Sequence, residues 1–292
     1  KMNVKKLFLE YFSQKGHQEL PSCPLIPNND KSLLFVNSGM VQFKDIFLGN
    51  VKSKYSRVVT CQKCMRAGGK HNDLDNIGFT SRHHSFFEML GNFSFGDYFK
   101  EQAIEYAWDF LTNHLKLDKE KLYVSVYTSD NESKSIWIDK IKIPSKKVLV
   151  LGDEDNFWQM GDTGPCGPCT EIYYDLGDKY EGVLPSQGDP KDRYIEIWNL
   201  VFTQYNKTEK GLLEELPQKC VDTGMGLERV QAIVEGLSDN YESTLFVNLS
   251  KFIDKRVKLN KKSNYVKKIL LDHIRACCHL ISDNVIPDRD GR

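Results

Sequence analysis

The apolar segments of this chain are joined by loops of very uneven length, and that constrains its fold more than any other feature. Strand-like runs occur at Leu33–Val36, Val58–Thr60, Ser85–Leu90, Leu122–Tyr127, Val148–Leu151, Glu171–Asp175 and Ile195–Tyr205. Leu122–Tyr127 alternates apolar with polar residues, as a half-buried strand does. Regular βαβ units would alternate strand and helix throughout. The uneven pattern instead predicts an α+β fold with a mainly antiparallel sheet flanked by helices.

Helical spacing is clear at both ends. Val4, Leu7, Phe8, Tyr11 and Phe12 fall on one face of a helix over Val4–Gln14, and Gly16 suits its C-terminal cap. Lys100–Leu115 reads as a second amphipathic helix. After about Val230 the chain turns helical, with Leu245, Leu249, Phe252 and Ile253, then Val266, Ile269, Leu270, Ile274, Cys277, Leu280 and Ile281. The expected organisation is a domain over 1–230 and the start of a helical region over 231–292. Its Lys/Arg-rich stretch from Lys251 to Lys268 reads as a solvated face or as a surface for RNA backbone. The final Asp288–Arg292 segment reads as a cut end.

Composition excludes little. Lys+Arg and Asp+Glu are both 40, so net charge points to no nucleic-acid partner, although a local basic face remains compatible. The N-terminus lacks the apolar core of a signal peptide, and no run reaches the length of a membrane span. A soluble cytoplasmic protein is expected, with an organellar matrix as the other compartment. Two C-x-x-C pairs occur, Cys61/Cys64 and Cys166/Cys169. They lie too far apart in sequence for a zinc ribbon and lack an accompanying H-x-x-x-H run, so free thiols are expected, with Cys277 and Cys278 half buried on a helix.

There is no phosphate-binding G-x-x-x-x-G-K-[ST] loop and no G-x-G-x-x-G between strand and helix. Three other segments are dense in glycine, charge and aromatics. Arg66-Ala-Gly-Gly-Lys-His-Asn-Asp73 places cations and flexible backbone after a strand, which suits a polyphosphate. Arg82 to Phe99 is rich in aromatics, and alternation along its strand, Ser85–Leu90, puts Phe87 and Met89 on one face and Glu88 on the other. Asp222-Thr-Gly-Met-Gly-Leu-Glu-Arg229 lets a ligand approach strand backbone before Arg229 enters a helix. Each also has a plain reading, as a solvated turn, core packing, or a strand-to-helix turn.

Together these segments resemble the class II aminoacyl-tRNA synthetases. Gly224-x-Gly226-x-x-Arg229 is similar to motif 3, the Arg66-to-Phe87 span to motif 2, and Pro27 to the motif 1 proline. Gly68 departs from motif 2, which usually has a Glu after its Arg. The strings Asn37–Lys44, Arg66–Asp73, Phe86–Phe99 and Trp158–Cys169 look like the alanyl-tRNA synthetase family specifically. That resemblance implies ATP with Mg²⁺, alanine and tRNA(Ala) as partners. It implies that Arg66 and Arg229 are catalytic and that Arg66, His71, Asp73, Phe87 and Arg229 bind ATP. Phe87 and Arg229 would sandwich the adenine. Trp158, Asn199, Val201, Asp222 and Gly224 would form the alanine pocket, Asp222 meeting the ammonium, and Glu196 would be a Mg²⁺ ligand. Zinc is expected only in an editing domain outside this chain. Two other readings stay open: an adenylate-forming paralogue that charges no tRNA, and a zinc-bearing nucleic-acid-binding module.

Overall fold

The computed structural model describes residues 2–27, 33–68, 72–159, 162–258 and 264–289. The strands among them are β1 Gln18–Glu19, β2 Arg57–Met65, β3 Phe86–Phe95, β4 Leu122–Tyr127, β5 Val148–Leu151, β6 Phe157–Gln159, β7 Gly164–Asp175, β8 Tyr194–Lys207 and β9 Leu213–Gly226. They build one sheet in the order β1-β2-β3-β9-β8-β7-β4-β5, with β6 paired to β7 off that path. Only β1/β2 and β4/β5 are parallel; every other pairing is antiparallel. The longer helices are α1 Val4–Gln14, α2 Lys100–Asp109, α3 Leu227–Val234, α4 Val247–Asp254 and α5 Asn264–Ser282.

Both ends of α1 follow from side-chain and backbone chemistry. Asn3 caps the start by accepting the Lys6 amide at 3.0 Å, and Gly16 follows the helix at φ +83°, a conformation that costs a glycine nothing. The helix buries Val4, Phe8, Tyr11 and Phe12 against the back of the sheet, where they join Leu90, Trp198, Leu200, Phe202 and Val221 in the main core. The second predicted helix continues past α2 as a π turn over Phe110–His114.

Two expectations need correction, and one strand went unread. Leu33–Val36 is not a strand. Val36 makes single backbone bonds with Leu25 and Met65, and Leu34 is exposed, so no ladder forms. The whole of β9 was unread before its glycines. Its outer half, Leu213–Lys219, is charged, carries Pro217 and lies largely exposed, so it shows no apolar alternation. Cys277 and Cys278 are exposed, because α5 buries Leu271, Asp272 and Ala276 and the two thiols fall off that face. The C-x-x-C pairs sit within strands. Cys61 is opposite Leu90 and Cys64 opposite Phe87, so their side chains project from opposite faces of β2.

Helix α3 runs across position 230, and α5 packs back on β2 and β3. Asp272 accepts the Ser85 backbone amide at 2.8 Å and the Ser85 hydroxyl. His279 stacks on Phe86 at 4.0 Å, and Lys63 pairs with Asp283 at 2.6 Å. Among the described residues no helix is long and apolar enough to cross a membrane.

Candidate active site

The sheet has two unlike faces. The back carries the main core and α1. On the front, register brings Arg66 and Cys64 of the β2 end beside Phe87 and Met89 of β3, then Asp222, Gly224 and Gly226 of β9, then Asn199 and Val201 of β8. A β-bulge explains how Glu196 joins them. Ile172 faces Trp198 while Tyr173 faces Glu196, so Ile197 is the extra residue. Ile197 and Trp198 both enter the core, and Glu196 and Asn199 both face forward.

A cavity of about 230 Å³ opens on this face, and Arg66, Asp73, Phe87, Glu196, Gly224 and Arg229 line it. These are six of the residues singled out in the sequence. The motif glycine Gly226 lines it too, as do Arg82, His83, Met89 and Asn240, to which the sequence reading assigned no role. Arg82 opens the second of the singled-out segments but was given no task there, and Asn240 comes from a segment without a recognisable pattern: Arg82 pairs with Asp192 at 2.6 Å, and Asn240 donates to the Arg82 carbonyl at 3.3 Å. His71 lies outside the described residues.

Arg66 follows β2 directly. Its amide donates to the Ser85 carbonyl at 2.7 Å, its carbonyl accepts from Asp73 at 3.2 Å, and its Nε donates to the Asn37 carbonyl at 3.2 Å. These contacts hold the guanidinium at the mouth of the β2–β3 loop. Arg229, on the first turn of α3, donates from Nη1 to the Glu196 carbonyl at 2.5 Å and lies 3.8 Å from the Glu196 carboxylate. Burial and the nearby Arg82 and Arg66 charges depress its pKa, and Glu196 partly offsets them. Three cations facing one cavity, only partly neutralised, favour a polyanion there. Gly224 forms part of the floor: a β-carbon there would meet the Met89 sulfur at 2.8 Å.

One strand step further, Asp222 lies between Phe93 and Val201. Its side chain is 6% exposed and makes no hydrogen bond among the described residues, and burial alone raises its pKa to about 7. A buried carboxyl without a donor is costly unless a ligand supplies one. Val201 is buried beside it, and Trp158 packs against the cluster that contains Phe93. The β7 neighbours Glu171 and Tyr173 complete this region, and the sequence reading missed both. Within the string Thr170–Asp175 they look like ordinary strand residues. Asn199 Nδ2 donates to Glu171 Oε1 at 3.0 Å, and the Tyr173 hydroxyl donates to the other oxygen. Burial, then the Glu196 charge, pushes the Glu171 carboxyl well above its ordinary range.

No group of three or more His, Cys, Asp or Glu side chains is arranged to hold a metal among the described residues. Glu196, 41% exposed, and Asp73 are nevertheless oxygen donors at the same cavity as the cations. That suits Mg²⁺, which keeps waters and takes one or two carboxylates together with substrate phosphates.

A mainly antiparallel sheet thus carries these cations and a buried carboxyl on one face, and sequence comparison names the class of protein. The family model for tRNA synthetases class II (A) matches residues 3–292, and the chain belongs to that family. The alanine–tRNA ligases of Idiomarina loihiensis and Shewanella amazonensis are each 53% identical over 99% of this chain. The chain spans 34% of the length of each. The solved apo histidyl-tRNA synthetase of S. aureus superposes on 92% of this chain and 82% of its own, with TM-score 0.49 and 9% identity.

Proposed function

We propose that this chain activates alanine with ATP and passes the alanine to tRNA(Ala). The alanine carboxylate attacks the α-phosphate, a new P–O bond forms, and the bond to the β-phosphate breaks to release pyrophosphate. A terminal ribose hydroxyl of the tRNA then attacks the carbonyl of alanyl-adenylate, and AMP leaves. The observation that carries this reading is Asp222, a buried carboxyl without a donor among the described residues, one strand step from a cavity faced by Arg66, Arg82 and Arg229.

In this reading Arg66 aligns the α-phosphate and the carboxylate, a task suited to a planar guanidinium. Arg229 and Phe87 hold the adenine, and Asp73 lies towards the outer phosphates, the role that the motif resemblance also gives His71. Asp222 and Asn199 take the ammonium, Gly224 lets the substrate lie close to the strand, and Val201 and Trp158 limit side-chain size. Mg²⁺ bound with ATP supplies charge neutralisation for the phosphates, with Glu196 and Asp73 as its protein donors. Residues 1–230 form the aminoacylation domain. Residues 231–292 begin a helical tRNA-binding region, and zinc-dependent editing is assigned to a domain outside this chain. The resemblance of the motifs and the identity to alanine–tRNA ligases support the choice of alanine. The test is to incubate the chain with ATP, Mg²⁺ and labelled alanine and isolate the product. Alanyl-adenylate is expected; its absence with a folded, ATP-binding protein overturns the reading.

A further inference from the structure

Asn199 is a side chain with a choice. An amide presents an acceptor on one side and donors on the other, and the two orientations have nearly the same shape. Only one of them suits an ammonium. Glu171 and Asn199 are directly opposed on β7 and β8, and the Asn199 Nδ2 donates to Glu171 Oε1 at 3.0 Å. The second oxygen of Glu171 is taken by the Tyr173 hydroxyl, on the same face two residues along. A carboxylate offers no donor, so only the amide nitrogen fits against it.

The consequence falls on the other side of the amide. Asn199 Oδ1 is buried and has no hydrogen-bond partner among the described residues. Across the β8–β9 ladder Asn199 opposes Gly224, which has no side chain, and Val201 opposes Asp222. Asn199 and Asp222 are therefore diagonal neighbours on one face, roughly 7–8 Å apart in backbone terms. Each carries an acceptor that no described protein donor satisfies. An ammonium brings three donors and no acceptor.

We propose that Glu171 is a positioning residue for amino-acid recognition: it fixes the Asn199 amide so that Oδ1, with Asp222, is presented to the substrate ammonium. The proposal rests on the reading of this face as an alanine-adenylating site. Both oxygens of Glu171 are already engaged, so the residue acts through Asn199 rather than on the substrate. The orientation holds for the carboxylate, and for the neutral carboxyl when its proton sits on the oxygen that faces the Tyr173 hydroxyl, which can accept it. Freed from Glu171, the amide turns over and meets the ammonium with its own N–H groups.

The experiment uses two non-reactive adenylate mimics, alanyl-sulfamoyl adenosine and its propionyl counterpart, which lacks only the amino group. Their affinities for the wild-type chain and for Glu171→Met are measured by titration calorimetry. Wild type is expected to prefer the alanyl compound. In Glu171→Met, which offers the amide no oxygen, that preference is expected to fall by about tenfold or more, as for loss of a hydrogen bond to a charged group, with propionyl affinity unchanged. Tyr173→Phe, which removes one of the two contacts on Glu171, should reduce the preference in the same direction by less. Equal weakening of both compounds in Glu171→Met would mark a merely structural role and overturn the proposal, as would an unchanged preference. If Glu171→Met does not fold, Tyr173→Phe decides, and an unchanged preference there overturns it. A wild-type chain that binds both compounds equally overturns the reading of the site, and the proposal with it.

Discussion

The guanidinium carbon of Arg66 lies 5.1 Å from the centroid of the Phe87 ring. The antiparallel register of β2 and β3 sets Cys64 opposite Phe87, and Arg66 follows two residues later on the same face. The cation proposed to hold phosphate and the ring proposed to hold adenine therefore support each other, by a contact worth about 0.5–2 kcal/mol.

Arg66→Ala should lower the rate of alanine-dependent ATP–pyrophosphate exchange by about a hundredfold to a thousandfold, the usual cost of deleting one donor aimed at developing charge. Steady-state exchange measures this directly. A variant within a few-fold of wild type would remove Arg66 from its assigned role.

Asp222 links function to stability. Burial raises its carboxyl to about 7, against about 3.9 in an unfolded chain. The fold thus prefers the neutral form, a preference that stabilises fully below about pH 4 and is lost as pH rises through 7. Asp222→Asn should therefore melt higher than wild type at about pH 8, and the gain should disappear towards pH 4. The same variant should lose alanine use while keeping ATP binding, and wild-type kcat/KM for alanine should decline below about pH 7. Melting curves across pH, with exchange kinetics, test both halves. A destabilised Asp222→Asn at high pH contradicts the account.

Arg275 on α5 ties the C-terminal helix to the strand and helix that carry the site. It lies 2.5 Å from Glu228, which is 1% exposed, and 3.4 Å from Glu88. The Glu228 contact is an ion pair, and Arg275 Nη1 makes no hydrogen bond among the described residues. Glu228 also accepts the Glu88 amide at 3.1 Å. Arg275→Met should leave a buried carboxylate unpaired and cost about 3–5 kcal/mol in denaturant unfolding. A loss below about 1 kcal/mol would place this pair with weak surface bridges.

Serine and glycine should both be activated. Serine adds one hydroxyl to alanine, which a small apolar wall such as Val201 rejects by roughly a hundredfold at best. Glycine leaves a methyl-sized space, at about 1 kcal/mol. Exchange assays with each amino acid report the ratios. Discrimination of about ten-thousandfold against serine would require a polar exclusion device, which would contradict this account of the pocket.

Val4–Gln14, Leu122–Tyr127 and Val148–Leu151 were read to the residue, because the first two carry amphipathic periodicity and the last is a short continuous apolar run. The outer half of β9 was not, since an exposed hairpin arm needs no apolar alternation. Within the site, Arg66, Asp73, Phe87, Gly224 and Arg229 were legible as motif residues, and the cavity brings them together. Glu171 and Tyr173 were not. Their significance comes from their β8 partners across the ladder and from the bulge at Ile197, and neither leaves a mark in a single sequence.

The most direct measurement is ATP–pyrophosphate exchange by this chain with each of the twenty amino acids in turn. The account expects strong exchange with alanine, weaker exchange with serine and glycine, and background with the rest. Background exchange with alanine from a folded chain, or a clear preference for a larger amino acid, would contradict it.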